Sequence, residues 1–559
     1  MKRIAKKKRL CALIMGMAMT MSLFGCGASK DDSNAGGVYV PKDNAQSPLI
    51  SEQVQDGGYN NFTNSDAAEY KYGMYAEAVM REDGYEEVDW NTEEYSALEE
   101  RGFQSVANSP LSTFSADVDT AAYSNIRRMI QDGCSIDQIP NGIVRIEEML
   151  NYFSYDYALP GDKEPFGVTT VLGDCPWNEN AKLLQIGLRT QKIDFSEAPA
   201  SNLVFLLDVS GSMNADDKLP LLQKSFSMLA EELTEKDTIS IVTYASSDKV
   251  VLEGESGNNK KKITDAINNL KAGGATNGAD GIGTAYRLAE QYFIEGGNNR
   301  VIIATDGDLN VGVSSESDLK DLVTQKKESG VFLSVLGFGT GNIKDNKMEA
   351  LADNGNGNYA YIDSLNEAKK VLVEEMGANF VTVAKDVKLQ VEFNPAYVKG
   401  YRLLGYENRE MATEDFDNDK KDAGEIGAGH MVTALYEIIP VSSEQEIAGT
   451  ELKYQDNSGN KGIENGEWLN LKIRYKEPDG DESILKEYPV TEDCYLQGPT
   501  EDFYFAAAVA EFGLLIRDSE YKGDASFENV RNLLKKVDTD SDDYKDEFVY
   551  LVKLLQRGS

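Results

Sequence analysis

The architecture of this chain turns on Leu203-Val204-Phe205-Leu206-Leu207-Asp208-Val209-Ser210-Gly211-Ser212. Five apolar residues without interruption fit a strand covered on both faces, because a strand with one wet face would alternate. The polar turn that follows puts Asp208, Ser210 and Ser212 at the carboxyl end of that strand. Similar runs recur at Ile239–Tyr244, Val301–Ala304, Val331–Leu336 and Tyr359–Ile362. Between them, Leu222, Phe226, Leu229 and Leu233 fall at helical spacing, as do Leu288 and Tyr292. Lys249–Leu252, soon after the second strand, suits an antiparallel edge. Strands alternating with helices predict a mostly parallel sheet sandwiched by helices, with its ligand site at the carboxyl ends of the strands.

Two further polar clusters belong to that edge. One is Gly273-Gly274-Ala275-Thr276-Asn277-Gly278, in a loop leading into a helix; the other is Thr305-Asp306-Gly307-Asp308, at the end of the strand Val301–Ala304. Singly, such residues cap helices and fasten turns. Together, two carboxylates and three hydroxyls present only oxygen donors, the ligand set that a hard divalent cation prefers.

Asp208-x-Ser210-x-Ser212, then Thr276, 64 residues after Ser212, and Asp306, 30 residues further on, resemble the metal-ion-dependent adhesion site of von Willebrand factor type A domains. The resemblance implies that Ser210, Ser212 and Thr276 bind the ion through hydroxyls, and that Asp208 and Asp306 act directly or through water. A first shell of neutral hydroxyls with two carboxylates leaves the cation under-neutralised, so a carboxylate from another molecule can complete its charge and coordination. Mg²⁺ suits such a site, and Mn²⁺ or Ca²⁺ could replace it. The segments Ser112–Thr120, Val144–Met149, Cys175–Asn178, Thr305–Gly312, Gly355–Tyr361 and Gly427–His430 are similar to those of a bacterial lipoprotein family that carries this domain. They span the chain from about Trp90 to the C-terminus. The expected fold is α/β: a Rossmann-like, doubly wound sheet inserted in a β-sandwich platform, with a helical C-terminal end.

The flanks supply that platform. Val168–Leu172 and Leu183–Leu188 read as strands before the inserted domain. After it, Val387, Leu389, Val391 and Phe393 alternate with polar residues, the mark of a half-buried strand. Val432–Ile439 and the pair Leu469–Tyr475 and Ile484–Tyr488, joined through Pro478-Asp479-Gly480-Asp481, continue the β character. Helices are expected at Ala121–Ile130, Ile143–Phe153, Phe503–Arg517, Phe527–Lys536 and Tyr544–Gln556.

The N-terminus reads as an address. Lys2, Arg3, Lys6, Lys7, Lys8 and Arg9 precede an apolar run from Leu10 to Phe24, too short to span a bilayer comfortably but right for a secretory signal. Leu23-Phe24-Gly25-Cys26 resembles the bacterial lipobox, with Cys26 as the lipidated first residue and Phe24 where the pattern has a smaller side chain. From Gly27 to about Asp89 the sequence is polar and acidic without apolar periodicity, which fits a solvated tether. The expected organisation is signal peptide 1–25, flexible acidic tether 26–95, N-terminal flank 96–200, type A domain 201–385, β-rich domain 386–500 and helical region 501–559.

Composition removes other function classes. Over 559 residues, 56 Lys+Arg face 94 Asp+Glu, a formal charge of −38 that repels phosphate backbones, so no nucleic-acid partner is expected. Removing residues 1–25 makes the charge −44. The single histidine, His430, excludes two-histidine metal sites, and its glycine-rich turn between β segments suits a structural role. Five cysteines (Cys11, Cys26, Cys134, Cys175, Cys494) form no CxxC pair, so free thiols are expected beyond Cys26. Asp538–Asp542 starts like a calcium loop but has Asp543 in place of the glycine, and suits a helix cap. Ser210 lacks the glycine pattern of a nucleophile elbow. Asp308 is the one residue near the site placed to serve as a base for metal-assisted hydrolysis, so binding outranks catalysis. The expected function is that of a membrane-anchored, extracytoplasmic protein binding a partner that supplies an Asp or Glu carboxylate.

Overall fold

The computed structural model describes residues 91–558 apart from 118, 163, 194–197, 275–279, 308–315, 376–380, 448–461 and 479, together with the backbone of 76–80 and 86–90. Cys26, residues 1–25 and most of the stretch read as a tether lie outside the described residues, as do Thr276 and Asp308. All described residues belong to one of two compact units, Ala67–Ser559.

The tether reading fails at its C-terminal end. β1 (Ala76–Met80) and β2 (Glu86–Trp90) pair antiparallel, Ala76 opposite Trp90. The next residues lie on the fold: Thr92 N donates to Gly341 O at 2.8 Å and Glu94 N to Ile343 O at 2.9 Å. Glu93 and Tyr95 are buried. One extended segment fixed by backbone hydrogen bonds and a single carboxylate carries no hydrophobic period, and its acidic composition passes for a spacer.

The platform begins with β3 (Gln104–Ser105) and β4 (Leu111–Ser115), then α1 (Ala121–Gln131) and α2 (Ile146–Asn151). The helix expected over Ile143–Phe153 is shortened at its start, because the Val144 carbonyl is taken by Arg517 Nε at 3.0 Å and Nη2 at 2.6 Å. β5 (Gly167–Asp174) and β6 (Lys182–Arg189) form a hairpin just before the inserted domain.

That domain is a six-stranded sheet. β7 (Ser201–Asp208), β8 (Thr238–Tyr244), β9 (Asp248–Ser256), β10 (Asn298–Thr305), β11 (Phe332–Phe338) and β12 (Tyr359–Ile362) lie in the order β12-β11-β10-β7-β8-β9. Every pairing is parallel except that of β9, the antiparallel edge. β7 is buried throughout. Leu203, Phe205 and Leu207 face one helix layer, with α3 (Leu219–Glu232), α4 (Lys260–Asn268) and α8 (Leu365–Lys369, extended by a π turn to Glu374). Val204 and Leu206 face the other, with α5 (Gly281–Gln291), α6 (Glu316–Glu328) and α7 (Asp345–Asn354).

After it, β13 (Thr382–Phe393), β14 (Val398–Leu404), β15 (Gly424–Gly427), β16 (Met431–Pro440), β17 (Glu467–Lys476) and β18 (Ser483–Thr491) return to the platform. One sheet runs β15-β13-β17-β18, with β4 also pairing β13; the other runs β3-β14-β16-β6-β5. Strands from before and after the inserted domain thus share both sheets, as the sandwich reading requires. Val387, Leu389, Val391 and Phe393 of β13 meet Leu184, Ile186 and Leu188 of β6 in the core between the sheets. The outer face of the second sheet is covered by α1, α2, α9 (Glu501–Ile516), α10 (Phe527–Leu534) and α11 (Asp543–Gly558). α9 is apolar on nearly every side and buried accordingly. Among the described residues, no helix is long and apolar enough to cross a membrane.

Candidate metal centre

The parallel register places the candidate carboxylates side by side. β7 and β10 pair through Leu207 opposite Ala304, so Asp208 stands beside Thr305 and one residue short of Asp306. Both aspartates are fully buried. Asp208 Oδ1 accepts from Ser210 N at 2.8 Å, which closes the turn, and its Oδ2 accepts from Thr305 Oγ1 at 3.0 Å. Ser210 Oγ and Ser212 Oγ lie 2.9 Å apart. Burial pushes the Asp208 carboxyl up to about 6, and the Asp306 carboxylate adds to the rise against the hydrogen bonds from Ser210 and Thr305.

Thr276 itself lies outside the described residues, but the loop leading to it is fastened to the Asp208 turn. Gly273 N donates to Val209 O at 2.9 Å and Gly211 N to Gly274 O at 3.0 Å. The structure therefore brings together Asp208, Ser210, Ser212 and Asp306, with Gly273 and Gly274 fastened to the same turn.

Lys218 joins them without having been expected. Its Nζ donates to Asp306 Oδ2 at 2.9 Å, and its side chain is 10% exposed. Lys218 is the N-cap residue of α3, where the helix macrodipole disfavours a cation. Only a nearby carboxylate makes that position favourable. Asp306 Oδ1, by contrast, is buried and accepts no hydrogen bond from any described residue.

These residues fit a hard cation. A buried carboxylate oxygen lacking a donor costs free energy that a cation or a further donor relieves. Among the described residues, no group of three or more His, Cys, Asp or Glu is arranged to hold a metal ion. A cation here would thus rest on two carboxylates and on hydroxyls, a donor set suited to Mg²⁺, Mn²⁺ or Ca²⁺ and not to a thiophilic metal.

The remaining candidates follow their structural readings. Cys134, Cys175 and Cys494 are free, and only Cys175 is fully buried. Burial holds His430 below the ordinary imidazole range, hence uncharged near neutrality, in the turn between β15 and β16. Asp542 Oδ1 accepts from Tyr544 N at 3.0 Å and Lys545 N at 3.1 Å, capping α11.

A doubly wound sheet whose first strand ends in Asp-x-Ser-x-Ser, inserted in a β platform, defines a protein with a von Willebrand factor type A domain. The family model for that domain matches residues 202–374, one described as von Willebrand factor matches 89–185, and one described as "Uncharacterized protein YfbK, C-terminal" matches 378–557. "Uncharacterized protein YfbK" of Escherichia coli (strain K12) is 43% identical over 472 residues, 83% of this chain and 81% of that protein. The chain belongs to the YfbK family. Inter-alpha-trypsin inhibitor heavy chain H3 of Homo sapiens is 30% identical over 173 residues, 29% of this chain and 19% of that protein. Among solved structures, von Willebrand factor type A from Catenulispora acidiphila covers 71% of this chain and 91% of its own at 14% identity and a TM-score of 0.38. The ArnB paralog VWA2 from Sulfolobus acidocaldarius covers 70% and 98% at 17% identity and a TM-score of 0.33. Type A domains mediate protein–protein contacts in general and commonly bind a divalent cation.

Proposed function

We propose that this chain is a membrane-anchored, extracytoplasmic binding protein whose type A domain uses a divalent cation, Mg²⁺ first, to capture a partner through an Asp or Glu carboxylate. Asp208, Ser210, Ser212, Thr276 and Asp306 are the proposed ligands, and Cys26 is the proposed point of lipid attachment after removal of residues 1–25. The observation that carries the reading is the meeting of two fully buried carboxylates with an adjacent pair of serine hydroxyls at the carboxyl ends of neighbouring strands.

Each residue has a distinct task. Asp208 orders the turn by accepting from Ser210 N and Thr305 Oγ1, so its carboxylate is held before any ligand arrives. Ser210 and Ser212 offer neutral oxygens, which hold a cation without cancelling its charge. A cation bound there supplies a positive centre for a carboxylate oxygen of another molecule. Burial around Asp208 and Asp306 keeps the local dielectric low, which strengthens that attraction over its value in water.

Titrating the purified mature chain with Mg²⁺ should raise its melting temperature, because a ligand that binds only the folded state stabilises it by mass action. Asp208→Ala should abolish the shift. Ser212→Ala, at an exposed position that tolerates truncation, should weaken it. A wild-type chain whose melting temperature ignores Mg²⁺, Mn²⁺ and Ca²⁺ alike would defeat the reading.

A further inference from the structure

We infer that Lys218 is a built-in counter-cation that limits how tightly the site holds its divalent ion and reserves one positive charge for the partner's carboxylate. The inference rests on the metal-site reading above and adds to it a residue that is not a ligand.

Three observations converge on Lys218. Its ammonium lies 2.9 Å from Asp306 Oδ2, on a carboxylate that is fully buried. Its aliphatic stem runs over Gly339, which has φ +74°, and a Cβ built there would overlap Lys218 Cγ; the glycine leaves the groove in which the stem lies. Its backbone is fixed at the start of α3, with Lys218 N donating to Ala215 O at 3.1 Å and Leu222 N donating to Lys218 O at 2.8 Å. A long flexible side chain is thereby held in one place, at an N-cap where the helix dipole opposes its charge.

The charge count gives the consequence. Asp208 and Asp306 contribute two negative charges, and Lys218 one positive charge. Adding a divalent cation leaves the loaded site one unit positive, which a single partner carboxylate neutralises. With a neutral side chain at 218, the loaded site would already be neutral, and a partner carboxylate would bring an uncompensated negative charge into a buried setting. Lys218 therefore weakens the cation and strengthens the partner's carboxylate. Without the cation it also keeps Asp306 paired, which stabilises the fold.

The test is Mg²⁺ binding to the full mature chain, followed by calorimetry and thermal shift, in wild type, Lys218→Met and Lys218→Gln. Met keeps the stem without charge, and Gln keeps a donor for Asp306 without charge. Both should bind Mg²⁺ at least about tenfold more tightly, since even water-like screening gives that effect for a unit charge several ångströms from a divalent ion and burial enlarges it. Both should melt below wild type without Mg²⁺, Met by more than Gln. Mg²⁺ affinity equal in all three chains would overturn it while leaving the metal site standing. No binding by any of them would sink the metal site, and the inference with it.

Discussion

Arg127 of α1 donates through Nε to Asp363 Oδ2 at 2.8 Å, joining residues 236 positions apart across the seam between the platform and the type A domain. The same guanidinium reaches Glu367 Oε2 at 2.8 Å, Tyr152 OH at 2.8 Å and Glu547 Oε2 at 3.0 Å. Arg145 and Arg409 repeat the pattern, bonding Asp345 Oδ2 and Asp353 Oδ2 at 2.7 Å each. Three platform arginines thus grip carboxylates on α7, α8 and the turn before α8.

Removing one partner of a buried ion pair leaves the others uncompensated, at a cost of about 3–5 kcal/mol. Arg127→Met should lower the denaturation midpoint accordingly, because Asp363 and Glu367 stay buried without their guanidinium. A variant within about 0.5 kcal/mol of wild type would show the clamp to be energetically idle.

Gly307 has φ +122°, and a Cβ there would overlap the Asn342 carbonyl. Gly307→Ala should therefore displace the loop beside Asp306 and cost about 1–3 kcal/mol, as other strained backbone positions do. The Mg²⁺-induced melting shift should shrink by more than overall stability does, since the damage falls at the site.

Ser210→Ala removes a buried hydroxyl that lies 2.9 Å from Ser212 Oγ and also helps hold the Asp208 carboxylate. It should reduce Mg²⁺ affinity several-fold while lowering stability by about 1 kcal/mol, the usual size of a single hydrogen bond. The two measurements come from one thermal titration. An unchanged Mg²⁺ affinity would remove Ser210 from the ligand set.

Burial and the neighbouring Glu407 carboxylate push Glu147 up to about 8, against an ordinary value of 4.5. The unfolded chain then releases its proton first as pH rises, so the folded state binds more protons between those values and its stability falls with pH across that window. The Arg517 guanidinium and the Tyr406 backbone N–H offset only part of that penalty. Glu147→Gln should flatten the stability profile between about pH 5 and pH 8 and exceed wild type most at the alkaline end. Parallel profiles for the two chains would show that Glu147 does not titrate with folding.

The sheet was readable because strand burial on two faces writes itself as an apolar run, and Leu203–Leu207 is such a run. Val387, Leu389, Val391 and Phe393 announced their sandwich face by alternation for the same local reason. Asp208, Ser210, Ser212 and Asp306 were legible as neighbours because turns at parallel strand ends converge on one edge. Lys218 was not, since its partner is 88 residues away and a helix-start lysine has no periodicity to betray it. The three platform arginines escaped notice likewise: ion pairs between remote residues leave no pattern along the chain. Asn91–Tyr95 was misread as tether because an extended segment held by backbone bonds and one buried tyrosine has no hydrophobic period.

That short segment settles how a load would travel. Thr92 N to Gly341 O and Glu94 N to Ile343 O run alongside the loop whose Gly339 carries the Lys218 stem and whose Asn342 abuts Gly307. Glu93 Oε1 clasps the same loop by accepting from Gly341 N at 2.9 Å. A pull reaching residue 91 from the N-terminal side would load this loop and, through the Glu93–Arg128 ion pair, helix α1 together. The loop that Glu93 clasps is thus also the loop that flanks Lys218 and Gly307, so a displacement at residue 93 is passed on to the surroundings of Asp306.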